Sequence, residues 1–306
     1  GKFDGLRIDH IDGLYDPAEY LNRLREKAPE VYLIVEKILE PEEELPITWP
    51  IQGTSGYDFL NQLNGIFCDQ SNEEEFDNIY YRFIGKAVSC EELIDKNKRL
   101  IIEKHLAGDI DNLAHLFKKI SGRYRYASYF TMYGMKSALI EILALFPVYR
   151  TYINSGGASS ADREYIEQVM IQAKKNIPNF LNELNFIEKF LLLEFDENLT
   201  EEDREEWLRF LMRLQQFTGP LMAKGVEDTV LYVYNRLVSL NEVGSHPGSF
   251  GVSLEDFHTY NSNRTATWPH TMNTTSTHDT KRGEDVRTRI NVLSEIPEEF
   301  EQNLKQ

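Results

Sequence analysis

Three carboxylates and one guanidinium carry the chemistry legible in this sequence. Asp9 follows Leu6-Arg7-Ile8, Glu36 follows Leu33-Ile34-Val35, and Asp279 follows Thr275-Ser276-Thr277-His278. Each ends a short segment predicted to be a strand, and in a parallel barrel the C-terminal strand ends converge on one face. A retaining glycosidase needs two carboxyl groups about 5 to 5.5 Å apart, one to attack the anomeric carbon and one to move the proton. Neighbouring strand ends can supply that spacing. Acidic residues also end strands as turn formers or helix caps, so each carboxylate alone is a weak signal. Arg7 sharpens the reading at Asp9. Two residues earlier on the same strand face, its guanidinium can hold the carboxylate ionised and oriented, as a nucleophile requires. An ordinary surface ion pair is the alternative there.

The elements that must position these groups follow from the pattern. Gly5 to Asp9 and Val31 to Glu36 are apolar runs with a helix between them, a strand, helix, strand unit. That helix is signalled by Asp16 as N-cap, Pro17 at its first position, Glu19 completing a capping box, and an apolar face of Tyr20, Leu21 and Leu24. A Pro-rich loop from Pro41 to Pro50 precedes a helix beginning near Ser55, with Phe59, Leu60, Leu63, Ile66 and Phe67 on one side. From Glu73 to Leu214, apolar positions recur at helical spacing among interleaved charges, and Asn154 to Ser160 (NSGGASS) breaks that run. Phe217 to Met222 and Asn273 to Asp279 read as strand segments, with a helical stretch from Thr229 to Leu240 between them. The fold class this predicts is predominantly α: an α/β unit interrupted by a large all-helical insertion.

Charge and cysteine content exclude several partner classes. The 306 residues hold 33 Lys and Arg against 50 Asp and Glu, a formal charge of −17, which repels nucleic acid and anionic lipid. The longest apolar stretch, Ala138 to Val148, is interrupted by Glu141 and is too short for a membrane span, so a buried helix is predicted there. Cys68 and Cys90 are too few for a disulfide framework and too far apart for a paired metal motif; with no signal-peptide pattern, a cytoplasmic location follows. Glycine-rich phosphate loops, HExxH and GxSxG are absent, and no metal is expected.

The string Gly5 to Leu14 (GLRIDHIDGL) resembles the strand-four motif of the α-amylase superfamily, Val35-Glu-Lys-Ile-Leu39 its strand-five segment, and His278-Asp279 its strand-seven pair. A finer resemblance is to the maltooligosyltrehalose synthase family. It rests on Leu33 to Leu39, Gly53 to Leu60, Met222 to Thr229, Tyr234 to Leu237, Leu240 to Gly244 and Ser276 to Arg287, six blocks in the same order. The resemblance implies a remnant of a (β/α)8 TIM barrel, strands four to seven. Residues 1–66 would be the partial catalytic barrel, 67–214 the helical insertion, and 215–306 the return to the barrel. It implies Asp9 as nucleophile, Glu36 as general acid/base and Asp279 as the carboxylate that stabilises the oxocarbenium-like transition state. Arg7, His10 and His278 would touch substrate or hold the carboxylates.

The implied activity is that of a retaining glucosylmutase converting the reducing-end α-1,4 linkage of a maltooligosaccharide into an α,α-1,1 linkage, with no cofactor. Another α-amylase-type glucan hydrolase, or a catalytically silent helical interaction module, are the competing readings. Apolar residues before Glu36 and nearby negative charge should favour its protonated form. Trp49 and Tyr57 are candidate sugar platforms and Thr54 and Gly56 candidate close-approach positions, with packing the alternative for each aromatic. Lys224, Glu227 and Asp228 sit in a block that resembles the family near strand six, although a solvated helix start would look the same. Trp207 reads as core. The superfamily's Asn-His motif of strand three is absent, and the chain reads as an internal fragment beginning just before the nucleophile strand. On that reading the strand remnants should rearrange, associate with a second copy through an exposed edge, or be poorly ordered.

Overall fold

The computed structural model describes residues 2–195 and 199–305. Residues 196–198, within the stretch predicted to be helical, lie outside the described residues. The chain is mostly helical with one small parallel sheet, and it divides into two compact units. One comprises residues 1–11, 21–94 and 226–306; the other comprises 12–20 and 95–225.

The sheet-bearing unit is built on β1 (Gly5–Ile8), β2 (Tyr32–Val35) and β3 (Gly53–Thr54), in the order β1-β2-β3. β1 and β2 pair parallel over four residues, from Gly5 opposite Tyr32 to Ile8 opposite Val35. Helix α1 (Pro17–Lys27) connects them, and the backbone N–H of Glu19 donates to Asp16 Oδ1 at 3.0 Å, the cap its sequence announces. A strand, helix, strand unit closes through local contacts, and Leu33 and Val35 are fully buried, so the pairing does not wait on more distant elements. β3 adds to the other side of β2, with Ile34 opposite Gly53 and Val35 opposite Thr54. It leads into α2 (Tyr57–Gly65), whose Leu60 is buried while Phe67, beyond its end, is exposed. The same unit holds α3 (Glu73–Ile84), the start of α4 (Cys90–Lys104), α10 (Leu231–Val233), α11 (Leu254–Thr267), α12 (Glu284–Asn291) and α13 (Pro297–Leu304). A small cluster of Cys68, Phe76, Leu237, Leu240 and Phe250 forms its secondary core.

The other unit takes in the rest of α4 with α5 (Ala107–Ser121), α6 (Met132–Leu145), α7 (Ser160–Asn176), α8 (Leu181–Leu191) and α9 (Glu201–Met222). Its core is continuous and apolar, including Phe117, Phe186, Phe190, Trp207 and Phe210. The predicted buried helix at Ala138 falls in α6, and the break before Ser160 is sealed by a capping box of Ser159 and Asp162.

Two predicted strands are not strands. Phe217 to Met222 is the last part of α9, because Leu214, Phe217 and Leu221 continue the buried helical face of Trp207 and Phe210 past Pro220. Pro220 has no N–H to offer the carbonyl four residues back, and the helix relaxes just beyond it into the π-helical stretch Ala223–Val230. The helix predicted from Thr229 to Leu240 is correspondingly broken into these π-turns, α10 and a 3-10 turn at Val238–Leu240. Residues 273–279 form no ladder. Hydroxyls in and just after this run bond its backbone, as Thr274 Oγ1 does to Ser276 O (2.8 Å) and Thr280 Oγ1 to Thr277 O (2.8 Å), in competition with strand pairing.

Candidate active site

β1 and β2 end level with one another, so the residues after them emerge at the same edge. The N–H of Glu36 donates to Ile8 O at 2.8 Å, which extends the ladder one residue and places Asp9 and Glu36 after paired strand ends. Arg7 Nη1 lies 2.5 Å from Asp9 Oδ1, the orientation its spacing predicts. His10 follows at a left-handed φ of 46°, an uncommon conformation for a residue with a side chain. That turn aims its N–H at Glu36 Oε2, 2.7 Å away. His10 thus meets the acid/base candidate through its backbone.

Glu36 is half-buried, and its carboxyl titrates above the ordinary carboxylate range. Burial is the largest cause and the charge of Asp9 adds to it, while the His10 N–H and the Arg7 charge oppose. This is the direction that the apolar run before Glu36 predicts. A carboxyl held closer to its protonated form beside an Arg-paired carboxylate can act as proton donor next to a nucleophile.

The third carboxylate is reached through Tyr57. Gly53 (φ 142°) and Gly56 (φ 92°) shape the turn from β3 into α2, and a Cβ on Gly56 would stand 2.4 Å from the carbonyl oxygen of Met272. Only glycine lets this turn approach residues 271–274 so closely. The approach is tied by Thr54 N–H to Thr271 Oγ1 (3.0 Å) and Met272 N–H to Thr54 O (3.3 Å). Tyr57 is buried, and its hydroxyl lies 3.0 Å from Thr277 Oγ1 and donates to Asp279 Oδ2 over 3.4 Å. Burial pushes this phenol up to about 12, with the negative charges of Asp279 and Glu36 adding to it and the Thr277 bond opposing. One hydroxyl therefore feels two of the three candidate carboxylates. His278 Nε2 lies 3.0 Å from Asp279 Oδ2, both side chains at least half exposed.

Trp49 is 4% exposed; its indole is packed in the core and offers no open face for a sugar, because the Pro-rich loop turns it inward as an anchor. Thr54 is buried, with its hydroxyl donating to Asp58 (3.0 Å) and accepting from Gly56 N–H (3.2 Å). Lys224 lies on the π-helical stretch in the helical unit. Asp228 pairs with Lys281 at 3.6 Å. Thr277 was not singled out by sequence, although its place two residues before Asp279 on the same Thr-Ser-Thr run is a usable signal.

No protein-family model matches the chain. A Mycobacterium tuberculosis protein assigned as a maltooligosyl trehalose synthase is 32% identical over 298 residues, which covers 97% of this chain and 36% of that protein. The solved maltooligosyltrehalose synthase of Arthrobacter ramosus superposes with a TM-score of 0.84 at 35% identity, covering 98% of this chain and 36% of that structure. The chain is homologous to part of the maltooligosyltrehalose synthases. A hypothetical maltooligosyl trehalose synthase of Sulfolobus tokodaii agrees, with a TM-score of 0.73 at 37% identity over 98% of the chain. The chain spans little more than a third of the length of these synthases.

Proposed function

We propose that this chain supplies the catalytic carboxylates of a retaining intramolecular transglycosylase, a (1→4)-α-D-glucan 1-α-D-glucosylmutase acting on maltooligosaccharides. The observation that carries the reading is the pairing of Arg7-held Asp9 with a protonation-prone Glu36 after two parallel strands in register. Asp9 attacks the anomeric carbon of the penultimate glucosyl unit, and the bond from that carbon to the O4 of the terminal glucose breaks as Glu36 donates its proton to that oxygen. A covalent glycosyl ester on Asp9 results. The freed glucose turns in place and its anomeric hydroxyl attacks the same carbon. Glu36 takes back the proton, Asp9 is released, and an α,α-1,1 linkage has replaced the α-1,4 one. Asp279, with His278 beside it and the Tyr57 hydroxyl donating to it, faces the positive charge that develops on the ring. Arg7 holds the Asp9 carboxylate in place, His10 presents its N–H to Glu36, and the step needs no cofactor.

In this reading β1, β2 and β3 are successive strands of a (β/α)8 barrel and residues 271–279 follow as the next, with the helical unit inserted between. In this reading the enzyme works in the cytoplasm, and β1, which ends the sheet among the described residues, is the edge through which a second copy would pair, as sedimentation would measure. The decisive assay incubates maltopentaose with the 306-residue chain and with the chain extended to the length of its relatives. A non-reducing product with a trehalosyl end supports the mutase. Free glucose or maltose as the main product supports a glucan hydrolase instead, and no turnover in either form supports the silent helical module.

A further inference from the structure

Residues 275–282 carry His278 and Asp279, yet neither helix nor strand holds them. One buried ion pair fixes both ends of this segment. Glu242 is 0% exposed, and its carboxylate accepts from the backbone N–H groups of Lys281 at 2.6 Å and Arg282 at 3.1 Å. Arg287, on α12 and also buried, reaches the same carboxylate at 3.2 Å. Its guanidinium donates in addition to the carbonyls of Arg282 and Thr275. Glu242 is held in its turn: its N–H donates to Ser245 Oγ at 3.0 Å, and the preceding Asn241 amide donates to the carbonyl of Leu231 at 3.0 Å.

A fully buried carboxylate is a costly choice when stability alone is needed, since apolar residues of the same size often serve as well. Its advantage is direction. Several N–H donors converging on two oxygens fix the path of the backbone between residues 275 and 282. Within that path Asp279 N–H donates to Thr277 Oγ1 at 3.1 Å, and Thr277 Oγ1 lies 3.0 Å from the Tyr57 hydroxyl.

We propose that Glu242, closed by Arg287, is a positioning residue that sets where Asp279 stands relative to Tyr57. The proposal rests on the reading of Asp279 as the transition-state carboxylate. Glu242→Gln keeps the size and one acceptor oxygen but removes the charge that gathers the N–H groups. In the form of the protein that turns over maltopentaose, kcat should fall about ten- to a hundred-fold, the range of a charge-assisted hydrogen bond. KM should stay within about threefold, because ground-state binding is untouched. Amide hydrogen exchange at Lys281 and Arg282 should accelerate in the 306-residue chain. Leu143→Ala, in the helical unit, serves as the destabilised control and should leave kcat and these two amides unchanged. Faster exchange with kcat retained, a rise in KM with kcat retained, or the same kcat loss in Leu143→Ala each overturns the proposal. Asp279→Asn separates the two readings. If it turns over like the parent, the role given to Asp279 fails, and Glu242 is then judged by exchange at 281 and 282 alone, where unchanged rates overturn the clamp.

Discussion

The helical unit and the sheet-bearing unit are stabilised by different physics. In the first, Phe190 stacks on Trp207 with centroids 3.7 Å apart, and Phe117 packs on Phe210 at 5.3 Å. Non-directional burial dominates there. Polar exceptions there are Arg150, whose guanidinium donates to the carbonyls of Asp12 and Tyr15, the buried Glu141 paired with Arg99 at 2.8 Å, and Lys98, which donates to the Phe146 carbonyl at 2.7 Å. In the second unit, shielded ion pairs recur: Lys37 with Glu43 at 2.7 Å, the half-buried Arg264 with Asp58 at 3.0 Å, and the buried Arg287 with Glu242 at 3.2 Å. Such pairs add little net stability against apolar replacements but fix angles. The difference teaches where placement matters, since a catalytic group must be held to within about 0.5 Å while a core need only be full.

The largest test of this contrast separates activity from stability. Asp9→Asn, in the form that turns over maltopentaose, should lower kcat by at least about 10²–10⁴-fold, the scale of losing a participating carboxylate, with the melting temperature nearly unchanged because Asp9 is exposed. Retained turnover removes Asp9 as nucleophile. Phe190→Ala does the converse: it should destabilise the protein by about 3–5 kcal/mol, read by urea unfolding. Exchange at the amides of 281 and 282 should stay as slow as before under native conditions; acceleration there would mean that the two units are not stabilised separately. Gly56→Ala comes next, at about 1–3 kcal/mol, because it combines a left-handed φ with a Cβ against the Met272 carbonyl. A loss below half a kcal/mol would mean that this turn relaxes freely and that Tyr57 is not fixed by it.

What was legible in the sequence divides along the same line. Local signals survived. Asp16, Pro17 and Glu19 announced α1, the apolar run Leu33 to Val35 announced β2, and the Arg7–Asp9 spacing announced their contact. The interior role of Trp207 also followed from its helical face. The strand at Phe217 to Met222 failed because a six-residue apolar run suits a strand or a buried helix equally, and the buried face through Leu214, Phe217 and Leu221 continues α9 past Pro220. β3 was missed because it is two residues long and owes its place to Thr271 and Met272, more than two hundred positions away. Trp49 stays open between platform and anchor in the sequence because its type suits both, and its burial favours the anchor. Glu242 could not be assigned a task from sequence, since nothing local says that its carboxylate gathers N–H groups forty residues later.

The smallest expected effect lies at Glu36, where activity and stability should oppose each other. The native carboxyl titrates above its ordinary 4.5, chiefly through burial and then through the charge of Asp9. The native state therefore holds this proton more tightly than the unfolded chain. The stabilisation that results is complete below the ordinary value and is lost as the pH rises through the raised one. Glu36→Gln keeps the shape and cannot ionise, so its melting temperature relative to the parent should climb as the pH is taken from 4 to 8, by a few degrees at most for a chain of this size. Phe190→Ala, by contrast, should show a gap that does not change over the same range, because no proton is involved. A Glu36→Gln difference that shrinks with rising pH would mean that the site stabilises the charged carboxylate. The carboxyl would then be a poor proton donor, and the contrast between a core built for packing and a site built for placement would lose its chemical half.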